Sequence, residues 1–253
     1  MEESLSIKTI IAWTNHTFNI AWGCTKISPG CANCYADTLS TRYGHDIWGP
    51  KKPRRTFGEK HWAEPIAWNQ LARSQRQIHR VFCSSMCDIG EDHPTIDRER
   101  EKLWPLIRST PWLHWQLLTK RADRLQKILP KDWGQGYPNV WLGVSIERDD
   151  YTWRAERLRR IPASIRFISY EPALGPLPSL DLEEIDWVIY GGESGPGFRA
   201  HDLAWPRTMR DRCRQEGVAF FYKQSAAYRT ETGTTLDGET IREFPQPRIA
   251  LVV

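Results

Sequence analysis

The sequence has no long apolar run: nothing in its 253 residues approaches the roughly 18 residues that a membrane-spanning helix needs. The apolar stretch Ile10–Trp13 is also too short for the core of a signal peptide, and it follows an acidic start. We therefore expect a cytoplasmic protein with no membrane partner, in which Ile10–Trp13 forms a first β-strand. Because cytoplasmic thiols are kept reduced, the six cysteines are expected to act as ligands or buried thiols, not as disulfides.

The chain also lacks a Gly/Ser-rich linker, an internal repeat and a low-complexity segment. One domain spanning residues 1–253 is therefore expected, with ample length for a core. The charge balance excludes little, because 35 Lys and Arg against 31 Asp and Glu leave a net charge of +4, which permits a phosphate-bearing partner without requiring one. Tryptophan is plentiful at 13 residues, and its flat rings suit a core or stacking on bases.

Short β-branched and aromatic runs recur along the chain, with helix-like stretches between them. Their near-continuous apolar character predicts strands buried on both faces, and they begin roughly 30 residues apart, the length of a βαβ unit. This pattern predicts the α/β class, with a parallel sheet and helices outside it. The predicted later strands are Arg80–Cys83, Leu113–Leu118, Val140–Val144, Ile165–Ser169, Trp187–Tyr190 and Val218–Tyr222, and the predicted helices are Ile96–Ser109, Ala122–Leu129, Tyr151–Arg160 and Trp205–Glu216.

Polar side chains follow the end of every one of these later strands. They converge only if the carboxyl ends of the strands share one mouth, so we predict a partial or complete parallel β/α barrel in preference to an open doubly wound sheet. For any single residue, a turn or capping role is the alternative. The segments at and just beyond the strand ends, polar and non-polar residues together, are Ser84, Ser85, Met86, Thr119, Lys120, Ser145, Glu147, Glu171, Pro172, Gly191, Gly192, Glu193, Ser194, Lys223 and Gln224.

Cys24, Cys31 and Cys34 form a C-x6-C-x2-C set on one short segment. Three thiolates can hold three irons of a cubane [4Fe–4S] cluster and leave the fourth iron open to another ligand. A structural zinc site is the competing interpretation, in which His16 or His45 completes a Cys₃His set. Buried thiols with no metal are the third possibility, and spacing alone does not decide among them.

The segment Cys24–Ala36, CTKISPGCANCYA, resembles the cluster loop of the phage Gp37/Gp68 family, a group similar to radical S-adenosylmethionine (SAM) enzymes. The resemblance covers nearly the whole chain from Trp13 to Gln224. Two features depart from the usual radical-SAM pattern: the first gap is six residues long, and Asn33 occupies the usual aromatic position before the third cysteine. The other similar segments are Leu117–Arg121, Trp141–Ser145, Glu171–Leu177, Asp186–Gly195 and Phe220–Gln224.

The resemblance implies a radical-SAM type of barrel and a [4Fe–4S] cluster held by the three cysteines, with SAM on the open iron. Reductive cleavage of SAM then yields a radical that abstracts hydrogen from a substrate, which requires an external electron donor. The expected SAM contacts are Ser84 and Ser85 for the amino group, Lys120 or Arg121 for the carboxylate, and Ser145 with Glu147 for the ribose. Candidates for substrate contacts or proton transfer are Glu171, Glu193, Lys223 and Gln224. Cys83 and Cys87 are interpreted as buried thiols, with ligands of a second centre as the alternative.

A basic, aromatic-rich insertion is predicted at about residues 45–70. Its cations can contact phosphates while its rings stack on bases, and a solvated basic loop is the alternative. The phage association of the similar family implies a nucleic acid or nucleotide substrate, in repair or modification. A zinc-stabilised, non-catalytic nucleic-acid-binding protein is the second hypothesis. The residues concerned are Lys51, Lys52, Arg54 and Arg55, interleaved with Trp48, Phe57 and Trp62.

Overall fold

A computed structural model of the chain describes residues 9–248. Seven parallel strands form one sheet in chain order. Within the described residues β1 and β7 are its two edges, so the predicted α/β parallel barrel is confirmed in its partial form. The strands are β1 (His16–Thr17), β2 (His79–Cys83), β3 (Leu113–Thr119), β4 (Val140–Ser145), β5 (Ile165–Tyr170), β6 (Trp187–Gly191) and β7 (Ala219–Gln224).

Helices connect most of the strands and cover the outer face of the sheet. Between β5 and β6 the connection is irregular. Within residues 9–248, no helix is long and apolar enough to cross a membrane. The helices are α1 (Tyr35–Arg42), α2 (Glu59–Gln75), α3 (Pro94–Ser109), α4 (Leu125–Ile128), α5 (Trp153–Arg159) and α6 (Ala204–Glu216).

Much of the predicted insertion at 45–70 is helix α2, which leads into β2. Trp62 on this helix packs edge-on against buried Phe18, with ring centroids 5.2 Å apart. Its ring is therefore part of the packing beneath the helix, which argues against the expected stacking on bases. Only the stretch before Glu59 forms an irregular basic segment.

The prediction of a first strand at Ile10–Trp13 is wrong. These residues form turns, and the first strand is the two-residue segment His16–Thr17. Trp13 instead enters the barrel interior, where its ring centroid lies 4.6 Å from that of Phe82 and 6.1 Å from that of Trp187. Ile11 and Ala12 pack against the cluster that holds Trp13, whereas Ile10 is exposed, so the apolar character of the run reflects the burial of Trp13 and not strand pairing.

Alternate residues of each strand point into the barrel and toward the helices, which explains the near-continuous apolar runs. The inward set is aromatic at its lower levels, with Phe82, Trp141, Phe167, Trp187 and Phe221 in one cluster. At the carboxyl ends the inward positions change character, to Ser145 on β4, Ser169 on β5 and Lys223 on β7, which line a cavity. The alternation therefore separates a packed floor from a polar mouth.

The chain after α6 and β7 returns along the exposed edge of β7. The Tyr222 amide donates to the Ile241 carbonyl at 2.9 Å, and Phe221 and Arg242 form an antiparallel bridge. Phe244 then packs on Trp187, with ring centroids 5.3 Å apart, and lies 4.0 Å from the Arg80 guanidinium carbon. This segment covers an edge that would otherwise expose unpaired backbone groups.

Candidate active site

A cavity of about 530 Å³ opens at the carboxyl ends of the strands. Its size suits a small-molecule or cofactor site. One wall of the cavity is apolar, and its other walls are formed by the cysteine segment and the ends of several strands. Of the residues singled out in the sequence, the cavity brings together Cys24, Cys31, Cys34, Ser84, Ser85, Lys120, Ser145, Glu171, Glu193 and Lys223, with Trp48 from the basic segment.

Residues Cys24–Cys34, here termed the cysteine loop, bring three half-buried thiols to the cavity. A 3₁₀ turn at Pro29–Cys31, in which the Cys31 amide donates to the Ser28 carbonyl at 2.9 Å, bends the loop back, and α1 begins directly after Cys34. Burial raises the pKa of Cys24 and Cys34 above the usual range. Metal coordination would deprotonate such thiols, so they suit ligation better than catalysis as free thiolates.

Glu147 supports the cysteine loop from beneath. Its fully buried carboxylate accepts hydrogen bonds from the Ser28 hydroxyl at 2.6 Å and from Arg154 Nη1 at 2.9 Å. A Cβ atom on Gly30 would lie 2.4 Å from Glu147 Oε1, so only glycine permits this close approach. Glu147 is fully buried and is not among the cavity-lining residues, so its placement favours support of the loop over the expected contact with the SAM ribose.

Glu193, after β6, fastens the other side of the loop. Its Oε2 accepts from Asn33 Nδ2 at 3.0 Å and from the amide and Nε of Arg199 at 2.8 Å each, while Arg199 Nη2 donates to the Pro29 carbonyl at 3.1 Å. Burial alone raises the pKa of Glu193, but the bonds from Arg199 and Asn33 outweigh it and lower the pKa below the usual value. The carboxylate is therefore held ionised, which suits an anchor better than a proton donor.

Arg121, after β3, provides a third tether. Its Nη1 donates to Asp88 Oδ2 at 2.8 Å and lies 3.6 Å from Cys24 Sγ, and its Nη2 donates to the Thr25 carbonyl at 2.8 Å. Such a guanidinium stabilises negative charge on the sulfur, the form in which it ligates metals. The ends of β3, β4 and β6 thus all hold the cysteine loop.

Lys120, which follows β3, lines the cavity. Its ammonium lies 3.4 Å from Glu147 Oε1, and its backbone amide donates to Asp88 Oδ2 at 3.0 Å. Burial lowers the pKa of Lys120, but Glu147 and the Cys31 sulfur outweigh that effect and the net pKa is raised. The side chain therefore stays cationic in the cavity wall, as a carboxylate-binding residue must.

At the far end of the cavity, Lys223 Nζ donates to Glu171 Oε1 at 2.5 Å. Glu231, which the sequence did not single out, also lines this end. Gln224 is fully buried: its Oε1 accepts from the Glu231 amide at 2.6 Å, and its Nε2 donates to the Gly192 carbonyl at 2.9 Å. Gln224 therefore positions Glu231 and does not itself face the cavity.

A family model described as "Protein of unknown function (DUF5131)" matches residues 8–245. The chain belongs to the DUF5131 family. No protein with a curated functional description matches it. Two solved structures of similar chain path are a cysteine-to-serine mutant of spore photoproduct lyase (14% identity, 77% of this chain and 60% of that one, TM-score 0.49) and a double mutant of the same lyase with bound AdoMet and dinucleoside spore photoproduct (14%, 80% and 62%, 0.47).

The DUF5131 chain thus spans about three-fifths of the length of these lyases. The likeness concerns the fold. The matches do not name the phage Gp37/Gp68 family, so that resemblance stays a prediction.

In the DUF5131 chain, Ser84 and Ser85 follow β2 and line the cavity. The Ser85 hydroxyl accepts from Asn19 Nδ2 at 3.1 Å, and the Ser84 hydroxyl lies 3.1 Å from Cys83 Sγ. Cys83 is buried, as interpreted, whereas Cys87 lines the cavity, and burial raises the pKa of its thiol to about 12. Both serines remain candidates for the SAM amino group.

The basic segment divides into one buried and three exposed cations. Arg54 is buried, and its Nε and Nη2 each donate to Glu91 at 2.8 Å, so its guanidinium is not free for a phosphate. Lys52 pairs with Asp46, and Lys51 is exposed. Arg55 is also exposed; its guanidinium carbon lies 4.7 Å from the ring centroid of Trp22 and 5.1 Å from that of Phe57, which are cation–π contacts. The placement favours Lys51 and Arg55 as phosphate contacts.

His16 is not placed to complete a zinc site with the cysteines. Its ring stacks on Trp68 at a centroid separation of 4.4 Å, and its Nε2 lies 3.1 Å from His79 Nδ1. In the part of the chain that the structure describes, no group of three or more His, Cys, Asp or Glu side chains surrounds a single metal position.

Proposed function

We propose that this protein is a radical SAM enzyme in which Cys24, Cys31 and Cys34 hold a [4Fe–4S] cluster. The observation that carries the proposal is the convergence of three thiols from one loop on a cavity of about 530 Å³, with the loop tethered from three strand ends. A rigid support of this kind holds ligand side chains in the orientation that a metal centre needs. The proposal accords with the resemblance to the phage Gp37/Gp68 family.

The donor set fits this cluster. Cysteine thiolates are the ligands that iron–sulfur clusters use, and three of them leave one iron free for an exogenous ligand. When bound and reduced by an external electron donor, such a cluster supplies reductive cleavage of SAM and a radical that abstracts hydrogen from the substrate. The protein's part is binding, orientation and the exclusion of water.

In the proposal, Lys120 binds the SAM carboxylate, because its ammonium is cationic and lies in the cavity wall. Ser84 and Ser85 bind the amino group, and Ser145 contributes to ribose binding. Glu171 and Lys223 contact the substrate or move a proton at the far end. The apolar wall, which includes Trp13, Phe82 and Leu118, keeps water from the reacting groups. Glu147 and Glu193 position the loop that carries Cys24, Cys31 and Cys34.

The proposed substrate is a nucleic acid or nucleotide. Trp48 lines the cavity, and exposed Lys51 and Arg55 belong to the same basic segment. Cations for phosphates beside rings for bases are the combination that single-stranded nucleic acid requires. Analysis of the reaction product identifies the substrate bond that is attacked and distinguishes repair from modification.

Anaerobic reconstitution with iron and sulfide tests the proposal. We expect about four irons and four sulfides per chain, a brown protein, and 5′-deoxyadenosine from SAM under chemical reduction. Cys31→Ala is expected to abolish both the intact cluster and SAM cleavage. Cys213→Ala is the matched control, because Cys213 is a fully buried thiol on α6, outside the cavity. Stoichiometric zinc, with no SAM cleavage after reconstitution, would establish the zinc-stabilised binding protein instead.

A further inference from the structure

Beside the mouth of the cavity lies a group of partly uncovered aromatic rings, here termed the rim platform: Trp22, Tyr43 and Phe57, with the Arg55 guanidinium among them. The ring centroid of Trp22 lies 6.3 Å from that of Tyr43 and 6.1 Å from that of Phe57. The Arg55 guanidinium carbon lies 4.7 Å from the Trp22 ring centroid. Tyr43 is 62% exposed, so much of its ring surface is open to a partner.

The backbone fixes the platform against the cysteine loop. Trp22 and Arg55 form an antiparallel bridge, in which the amide of each donates to the carbonyl of the other at 2.9 Å. Trp22 lies two residues before Cys24. Tyr43 stands at the end of α1, the helix that begins directly after Cys34. The platform is therefore attached to both ends of the loop that carries the three thiols.

The platform is continuous with the cavity. Trp22 lines the cavity, and so do Tyr35 and Leu39, which share one face of α1 with Tyr43 because the three are spaced four residues apart. The Tyr35 hydroxyl donates to the Ser85 carbonyl at 2.7 Å, which holds this ring at the cavity end of the face. The helix rise from Tyr35 to Tyr43 is about 12 Å. Since stacked nucleotides of one strand are about 3.4 Å apart, this face is long enough for more than one of them.

Exposed cations border the same rings. Arg42 lies in the last turn of α1, Lys51 and Arg55 belong to the basic segment, and all three side chains are exposed. The exposed carboxylate of Asp46 is paired with Lys52. Aromatic rings bordered by cations complement a strand whose flat bases alternate with phosphates, because the rings stack on the bases while the cations attract the phosphates.

From this placement we propose that the rim platform binds the nucleotide next to the one in the cavity, with its base stacked on Tyr43 and its phosphate at Arg55. This assignment rests on the proposed nucleic acid or nucleotide substrate and narrows it to a nucleotide within a single strand. A free nucleotide in the cavity would leave the platform unused. In a duplex, both faces of each base are covered by its neighbours, so no face is open to the Tyr43 ring.

Binding of labelled deoxyoligonucleotides to the full chain, measured by fluorescence anisotropy, tests this assignment. One probe has a thymine at every position, and the other has the same length and charge but a single central thymine between abasic positions. We expect Tyr43→Ala to weaken binding of the all-thymine strand by about fivefold or more, as loss of one base–aromatic stack does, and to leave binding of the abasic strand nearly unchanged. Tyr43→Phe keeps the ring and should bind as the wild type does. Tyr228→Ala is the matched control, because Tyr228 is 65% exposed and lies in the segment after β7.

Salt titration separates stacking from charge. Because the Tyr43 side chain is neutral, Tyr43→Ala should leave the dependence of log K on log salt unchanged, whereas Arg55→Ala should reduce that slope by about one. Equal affinity of the wild-type protein for the two strands, the result expected of a surface that serves a protein partner, would overturn the assignment. An equal loss in Tyr43→Ala and Tyr228→Ala would overturn it as well.

SAM cleavage by the reconstituted wild-type enzyme is measured separately. Absence of a base preference with intact SAM cleavage removes the platform and leaves the proposed radical chemistry standing. Absence of SAM cleavage with a base preference that depends on Tyr43 leaves the platform standing, as part of a nucleic-acid-binding protein.

Discussion

Replacing Glu147 by Gln tests whether this carboxylate is the foundation of the cysteine loop. Glu147 is fully buried, and so is its partner Arg154, which is 1% exposed and donates to Glu147 at 2.9 Å and to the Ser145 carbonyl at 2.7 Å. The substitution keeps the side-chain volume but removes the charge. It leaves the buried Arg154 guanidinium with no charged partner, because the Ser145 carbonyl and the glutamine oxygen are both neutral acceptors.

Breaking a buried ion pair from one side costs about 3–5 kcal/mol. For a chain of this size each kcal/mol lowers the melting temperature by roughly 2–4 °C, so we expect a fall of roughly 6–20 °C. Thermal unfolding of the metal-free protein, followed by circular dichroism, measures it without a contribution from bound iron. Glu156→Gln, an exposed carboxylate on the neighbouring helix α5, is the control and is expected to stay within about 0.5 kcal/mol of the wild type.

The double variant Glu147→Gln/Arg154→Met separates charge from packing. Because it removes both ions, it should recover part of the lost stability. In the reconstituted single variant we also expect less iron per chain, since Ser28 of the loop loses the charged acceptor that holds it. A Glu147→Gln protein that melts with the Glu156→Gln control and takes up a full complement of iron would refute the argument.

Three further predictions concern pH, the basic segment and the barrel floor. Burial lowers the pKa of both His16 and His114 from 6.5 to about 4, so between these pH values the unfolded chain binds protons that the folded chain does not. The free energy of unfolding should therefore fall as the pH falls from 6.5 to 4. His114→Gln should reduce this pH dependence, measured by urea unfolding at several pH values. Arg55→Ala should weaken single-stranded DNA binding, measured by anisotropy, and reduce the salt dependence of log K by about one, with stability nearly unchanged. Arg54→Met should instead lower the free energy of unfolding by about 3–5 kcal/mol, because Glu91 loses its buried ion-pair partner. A loss of stability in Arg55→Ala together with unchanged stability in Arg54→Met would contradict the assignment. Trp187→Ala should cost about 3–5 kcal/mol, because its fully buried ring contacts the rings of Trp13, Phe167 and Phe221 in the barrel floor; a loss under 1 kcal/mol in urea unfolding would show that the floor is loosely packed.

The sequence predicted the sheet well because its signal is local. The later strands differ from their predicted bounds by a residue or two, as at β3, where the prediction ended at Leu118 and the strand ends at Thr119. Helices α1 and α2 were not predicted. α2 carries an internal proline, Pro65, and few of its residues are buried, so its aromatic side chains suggested a binding segment.

The prediction of the first strand was wrong for a related reason. An apolar run such as Ile10–Trp13 has the same composition whether it pairs with a strand or places a single ring, here that of Trp13, inside a barrel. Its destination depends on the space that residues such as Phe82 and Trp187 leave inside the sheet. Composition alone does not encode that choice.

The candidate site was predictable as a location but not as a set of roles. Parallel strands bring their carboxyl ends together, so the convergence on one cavity followed from topology. Whether a side chain faces the ligand or the protein depends on partners far along the chain: Ser28 and Glu147 are separated by 119 residues, and Asn33 and Glu193 by 160. Glu147, Gln224 and Arg54 changed role for this reason, and Glu231 carried no signal in the polar segment that follows β7.

These long-range bonds suggest why the segments that resemble one family are scattered along the chain. The segments containing Arg121, Gly30 and Glu193 lie apart in sequence, yet each meets the cysteine loop or forms part of it. Three separate strand ends must therefore hold their positions for one loop to keep its shape. Such support stabilises the loop whether or not a metal is bound, because each tether satisfies buried polar groups. In the proposed radical SAM enzyme the same tethers would also hold the three thiols in position, since displacement of any one ligand would open a second coordination position on the cluster.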